Sequence, residues 1–483
     1  MSRATTTAAL ATGWLQAVTI SIPNAAVFHI SGAFSMQDDE MGWLFSSYIA
    51  ASAITMPMTG WLAGRFGRKA VLLSCIAVFA VGLVLATQAD TLGAFIAARI
   101  VQGAASGPLA PLSLAVLLDG ASPQRHARLT LISGLCVMLG ILSGPPLGGW
   151  ISEHHDWRWI FWLGLPVSVW VFAAMALCLE EKKPAAPPFD WLGFAALTLG
   201  LTGLQLLLDQ GERLEWFASP EIRLEAFAAV LGFTLWLAHS LTTPRHFLDK
   251  GLLRDRNFLA ASLMFFAFGF VLLPTVALTS PMLEELLGYP PDTTSAMTIP
   301  RSIALLLAMA LAAHAPARID NRLVILTALA LTAWANWRML AYSPLMDRWP
   351  VVTAGVLQGA GLGMLMPALG KAAFATLPAA LKPQGMAVFN MARLYGSTLG
   401  IAVVQWFLAD NTQAMHLALA SHVTLHRATL QAPALLAGPG PTLLNATVTG
   451  QAAMIALLGQ FKILMFAMVL AAPLILLLRK PQS

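Results

Sequence analysis

Apolar residues run along this chain in long blocks, with polar residues gathered between them. Fourteen blocks of about twenty residues stand near 9–30, 43–63, 70–89, 92–118, 127–151, 159–179, 190–208, 224–241, 257–281, 294–313, 323–341, 350–370, 387–409 and 456–478. Twenty residues rising 1.5 Å each cross a hydrocarbon core of about 30 Å. A helix also satisfies its own backbone groups inside lipid. The pattern therefore predicts an all-α integral membrane protein. Only Arg3 precedes the first block, which lacks a convincing small-residue cleavage site, so it is read as a retained helix.

The polar breaks divide the blocks into six, two and six. "LEEKKPAAPPFD" at 179–190 closes the first six, and "TTPRHFLDKGLLRDRN" follows the inserted pair. The expected organisation is a six-helix bundle over 1–183, a linker with two inserted helices over 184–245, and a second bundle over 246–483. Repeats of this kind place a substrate site near the membrane midplane, between the bundles. One outer connection is long: residues 410–455 carry apolar positions at helical spacing (Leu417, Leu419, Val423, Leu425, Leu430) and a "GPGP" run. A docking or membrane-surface hairpin and a mobile loop both remain open for it.

Composition agrees with a membrane setting: 58% of residues are hydrophobic, 11% are charged and the mean hydropathy is +0.72. The net charge of +5 follows topology. With the N-terminus inside, eighteen Lys and Arg residues fall in cytoplasmic segments and five on the other side, so both termini are expected in the cytoplasm. No nucleic-acid partner is implied. Cys75, Cys136 and Cys178 lie within blocks without CxxC spacing, as buried apolar thiols do. The sequence has no phosphate loop, HExxH or GxSxG elbow, so it does not read as an enzyme or an ATP-driven pump. His154, His155 and Asp156 read as loop residues packed beside Trp157, and neither metal nor cofactor is expected.

Three motifs carry the functional reading. "GWLAGRFGRKAVLL" at 60–73 puts Gly60, Arg65, Gly67, Arg68 and Lys69 at a cytoplasmic mouth, either as topological anchors or as a gate latch. "ARIVQGAASGPLAP" holds Arg99, Gln102 and Gly103 inside the fourth block. A charge there is costly unless it meets a wet cavity or a partner; an Arg–backbone clamp is the structural alternative. "GILSGPPLGGW" in the fifth block sets Gly140, Gly144 and Gly148 on one helical stripe, with Pro145, Pro146 and Gly149 alongside. Such a stripe admits a neighbouring backbone.

"GxLxxRxGRK", "RxxQG" and "GxxxGPxxGG", in these places, resemble motifs of the major facilitator superfamily. With "DWRWIFWLGLP", "FDWLGFAALTLGLTGLQLLLDQGERLEWF", "LQGAGLGMLMPALGKAAFATLP" and "FNMARLYGSTLGIAV", the chain resembles the fourteen-helix drug:proton antiporter branch, of EmrB/QacA type, over nearly its whole length. The resemblance implies an inner-membrane exporter of amphipathic drugs or toxic compounds working by alternating access. It also implies a periplasmic adaptor and an outer-membrane channel as partners. A scaffold or sensor that kept the fold without transport is the second reading.

The chain departs from that family at its titratable positions. Gly64 stands where the family's loop motif has an acid. In "TISIPNAAVF", Thr19 holds the place of the first-helix Asp, five residues before Asn24, and Gly164 replaces an Asn before Pro166. None of the twenty-three acids lies deep in a predicted helix. The remaining candidates for proton coupling are Asp39 and Glu40 at the outer start of the second helix, His29, and Arg99, which can tune a neighbour without itself carrying the proton. Gln16, Asn24, Gln102, Arg301, Asn336 and Arg393 are the candidates to line a substrate cavity.

Overall fold

The structure is a computed structural model that describes residues 3–36, 43–119, 121, 123–180, 190–211, 214–243, 250–314, 319–378, 381–423 and 440–479. No strand occurs among them. The chain divides into two compact units, Met1–Leu259 with Ala373–Met391 and Ala260–Ala372 with Ala392–Ser483. Among the described residues, eleven helices are long and apolar enough to cross a membrane. The stretches around the first, second and eleventh predicted blocks are helical as well.

The first unit contains α1 (Arg3–Ser21), α2 (Val27–Phe34), α3 (Trp43–Thr55), α4 (Thr59–Phe66), α5 (Arg68–Thr87), α6 (Leu92–Ser106) and α7 (Leu109–Asp119). After these come α8 (Pro123–His154), α9 (Trp159–Trp162), α10 (Gly164–Cys178), α11 (Trp191–Gln210), α12 (Pro220–Thr242) and α13 (Lys250–Arg254). Proline explains two of the breaks. Pro23 opens a tight 3-10 turn at Ile22–Ala26 between α1 and α2, and Pro57 does the same at Met56–Met58 between α3 and α4. Between α4 and α5 the backbone turns at Gly67, whose φ of 88° suits glycine. The core is apolar and aromatic, with Leu15, Tyr48, Phe79, Phe95 and Phe161 all buried.

Helices α11 and α12 form a close pair. A side chain at Gly232 would run into the Gly200 backbone, and one at Gly203 would sit 2.6 Å from the Ala229 amide. Asp190 caps α11 through the Gly193 amide at 2.9 Å and pairs with His239 Nε2 of α12 at 2.8 Å.

The remaining helices are α14 (Arg256–Pro281), α15 (Pro291–Ala313), α16 (Asn321–Met339), α17 (Arg348–Phe374), α18 (Lys382–Ala420) and α19 (Gly440–Ala471). Within the second unit, α18 meets α14 through glycine. Ser397 donates to the Gly269 carbonyl at 3.1 Å, and a Cβ at Gly396 would overlap the Phe266 backbone.

Segment 410–455 is helical at both of its described ends. Helix α18 continues to Ala420 and α19 already begins at Gly440, with His416 Nε2 and Asn445 Oδ1 3.1 Å apart. Ala, Leu and Met in 410–420 favour helix, and Pro441 sits in the first turn of α19, where its missing amide costs nothing. Residues 424–439 lie outside the described residues, as do Asp39 and Glu40.

Candidate transport sites

Arg99 is the central buried charge of the first unit, 1% exposed on α6. Its Nε donates to the Leu44 carbonyl at 3.1 Å and its Nη1 to Gln102 Oε1 at 2.6 Å. The guanidinium lies 4.4 Å from the centre of the Tyr48 ring and 5.8 Å from that of Phe161. Tyr48 in turn donates to Ser106 at 2.5 Å. Glycine makes this proximity possible: a Cβ at Gly103 would collide with the Tyr48 carbonyl, and one at Gly82 would stand 2.9 Å from the Gln102 amide. Among the described residues no carboxylate lies within ion-pair distance of Arg99. A buried cation is held here by a carbonyl, an amide and a π face, the geometry of the Arg–backbone clamp. Gln102, expected to line a cavity, is instead fully buried as part of that clamp.

The α8 stripe packs on α1. Ser21 Oγ donates to the Gly140 carbonyl at 3.2 Å, and also reaches the carbonyls of Ala17 and Val18 in its own helix. A Cβ at Gly140 would sit 2.7 Å from the Trp14 carbonyl; at Gly144 it would meet Ser21, and at Gly148 the Ile22 carbonyl. Pro145 and Pro146 lie inside the helix, and neither interrupts it. The stripe therefore abuts the stretch where α1 gives way to its 3-10 turn. Thr19, at the family's acid position, is buried and donates to the Leu15 carbonyl at 2.7 Å.

At the predicted cytoplasmic mouth Arg68 pairs with Asp119 at the end of α7. Asp119 did not stand out in the sequence; an acid closing an apolar helix just before a basic loop was the available signal. Gly67 makes the turn, Arg65 and Gly60 are exposed, and Lys69 is half-buried. At the far end of α5, Arg158 stacks 4.6 Å from Trp157 and donates to the Thr87 carbonyl at 3.1 Å.

The second unit carries a buried polar chain. Gln358 Nε2 donates to Thr275 Oγ1 at 3.0 Å and to Asn336 Oδ1 at 3.2 Å, and Asn336 Nδ2 donates to the Thr332 carbonyl at 2.8 Å. Asn336, a cavity candidate, is thus fully buried between helices. Gln358 escaped notice in the sequence. Its signal was a repeat: Gln-Gly recurs in "VQGAASG" of the fourth block and "LQGAGLG" of the twelfth. Arg301 lies beside a cleft also lined by Thr275, Thr279 and Tyr342, and donates to the Leu272 carbonyl at 3.4 Å. Arg393 is half-buried on α18. Of the other candidates, Gln16 is buried, while Asn24 and His29 are exposed.

A helical membrane chain with glycine-matched helix pairs and a buried arginine in its first unit has the make-up of a solute transporter. The chain belongs to the Major Facilitator Superfamily, whose family model matches residues 9–400. It is a transporter, not an enzyme, and it groups with EmrB-type proteins of the inner membrane. The Multidrug export protein EmrB of Haemophilus influenzae is 28% identical over 413 residues, 85% of this chain and 81% of that protein. The Fatty acid resistance protein FarB of Neisseria gonorrhoeae is 27% identical over 421 residues, 86% of this chain and 83% of that one. Among solved structures, the proton:xylose symporter XylE bound to 6-bromo-6-deoxy-D-glucose superposes with a TM-score of 0.59 at 14% identity, covering 95% of each chain. That likeness concerns the fold alone.

Proposed function

We propose that this chain is a secondary active exporter of amphipathic organic compounds, working by alternating access. It would cross the membrane fourteen times with both termini in the cytoplasm. The observation that carries the reading is the seating of the Gly140, Gly144 and Gly148 stripe of α8 on the backbone of α1. Contacts made by glycine and backbone leave few interlocking side chains, so two helices can shift against each other at low cost. The kinship with EmrB and FarB supports drug-like substrates, and the adaptor and outer-membrane channel belong to the same proposal.

Energy coupling is the finer part of the proposal. Thr19 cannot titrate, and Arg99 is held by neutral groups. Asp39 or Glu40, helped by exposed His29, then carries the proton, with the gradient acting weakly or only at acidic outer pH. The same two observations favour the second reading, a membrane scaffold or sensor that does not transport. Dye efflux from whole cells separates the two: an active exporter lowers dye accumulation, and a scaffold leaves it unchanged. In reconstituted vesicles, Asp39→Asn with Glu40→Gln abolishes uptake driven by a pH gradient and spares drug binding. Unchanged gradient-driven uptake in that double variant, and again in His29→Ala, removes these groups as carriers.

A further inference from the structure

The cleft beside Arg301 is built within the second unit from α14, α15, α16 and α17. It holds about 270 Å³ of unfilled space, counting its open side. Most of that space lies at the open side and the enclosed part has room for little more than one water, so it takes the oxygen end of a head group and leaves the rest of a ligand outside. Two of its polar groups are under-used. Arg301 has five N–H donors and makes one long bond, to the Leu272 carbonyl at 3.4 Å. No Asp or Glu lies within ion-pair distance of it among the described residues. Tyr342 is 5% exposed and its buried hydroxyl has no hydrogen-bond partner.

The other polar lining is already committed. Thr275 donates to the Val271 carbonyl at 2.7 Å and Thr279 to the Thr275 carbonyl at 2.6 Å. The donors left for a ligand are therefore a guanidinium and a phenol, both suited to an oxyanion. Met297 and Met339 complete the wall with deformable apolar surface. Glycine leaves room for the Arg301 side chain: its Cβ lies 3.3 Å from where a Cβ at Gly355 would stand. Tyr342 is steadied by Phe461, whose ring meets it edge-on at 5.9 Å.

We infer that this cleft binds the carboxylate of an amphipathic anion, with Arg301 and Tyr342 donating to its oxygens and the alkyl or aryl body leaving through the open side. The inference deepens the exporter reading and rests on it for the ligand being a substrate. Lipid phosphate is the other source of an oxyanion attached to an apolar tail, and the experiment distinguishes the two.

The full-length protein is purified into phosphatidylcholine nanodiscs and titrated with dodecanoate, dodecanol and dodecyltrimethylammonium. The expected result is dodecanoate affinity at least tenfold lower in Arg301→Gln, severalfold lower in Tyr342→Phe and partly retained in Arg301→Lys, with the other two probes unaffected. Tyr342→Phe keeps the ring contact with Phe461, so it reports on the hydroxyl even if Arg301→Gln folds poorly. Equal dodecanoate affinity in wild type and Tyr342→Phe, together with equal affinity in Arg301→Lys, overturns the site. A loss of dodecanoate affinity in phosphatidylglycerol nanodiscs that occurs in wild type and not in Arg301→Gln assigns the cleft to lipid and overturns the substrate assignment. Efflux of a cationic dye by the wild type tests the exporter reading separately. Failure of efflux with dodecanoate binding intact refutes the exporter and leaves the anion site standing.

Discussion

Alanine placed along the α8 stripe should damage the protein in an order set by what each new methyl group meets. At Gly148 it meets the Ile22 carbonyl, a backbone atom that no side-chain rotation can move. Overpacking of this kind costs about 1–3 kcal/mol. Separating α1 from α8 also loses the bond from Ser21 to the Gly140 carbonyl, worth roughly 0.6–1 kcal/mol in a membrane. Alanine's helix preference over glycine returns at most about 1 kcal/mol. The balance is a loss of roughly 1–3 kcal/mol on these terms, so the clash wins. At Gly144 the closest group is the Ser21 side chain, with the Ile22 amide at 2.8 Å behind it. Adding Ser21→Ala therefore partly rescues Gly144→Ala and gives nothing back to Gly148→Ala. Gly450 on α19 has no atom within 4 Å of its would-be Cβ, so Gly450→Ala serves as the neutral control. Thermal unfolding in detergent, followed by tryptophan fluorescence, reads the stability order, and initial efflux rates read function. Wild-type unfolding and efflux in Gly148→Ala would refute the account of the stripe.

Four more predictions concern the first unit, the chain's topology and segment 410–455. Arg99→Lys keeps a charge but cannot reach Leu44, Gln102 and the Tyr48 face together; efflux falls more than tenfold, and Tyr48→Phe, which retains the π face, loses far less. Breaking the half-exposed pair of Arg68 and Asp119 changes stability by under about 1 kcal/mol; if the pair latches a gate, Asp119→Asn impairs efflux, and the charge swap Arg68→Asp with Asp119→Arg restores it. Reporter fusions at 185 and 248 read cytoplasmic and those at 215 and 435 periplasmic; a cytoplasmic signal at 215 would refute the six-two-six order. If an adaptor docks on 410–455, deleting 425–445 spares insertion and abolishes resistance in cells.

Much of the helical layout was legible because lipid imposes one demand on every crossing segment, and about twenty apolar residues meet it whatever their order. The α8 glycines were legible for a similar reason, since spacing by four puts them on one face without knowledge of the neighbour. What the sequence withheld was the neighbour itself. That Ser21 bonds to Gly140, Asp119 to Arg68, and Gln358 to both Thr275 and Asn336 depends on tertiary approach over separations of 22 to 119 residues. Polar residues in apolar blocks also carry two meanings. Gln102 and Asn336 have the residue type of cavity lining, yet Gln102 accepts from Arg99 on its own helix and Asn336 accepts from Gln358 on the next one. The start of α19 at Gly440 was hard to place because Gly and Pro together mark loops as readily as a helix's first turn.

The link from Gln358 to Asn336 has a consequence for how the chain is made. Asn321, Arg322, Asn336 and Arg338 dilute the apolar character of α16, which is not among the eleven helices apolar enough to cross on that criterion. Ribosomes deliver α16 ahead of α17, so Asn336 reaches the translocon with its carbonyl oxygen still awaiting the Gln358 amide. If α16 crosses the membrane, its retention there depends on a residue not yet synthesised, and insertion of this stretch becomes a joint event of two helices. Nascent chains arrested between residues 340 and 348 would hold α16 weakly, and chains arrested beyond 374 would hold it firmly. Gln358→Leu would therefore act first on the yield of correctly inserted protein, before any substrate is met.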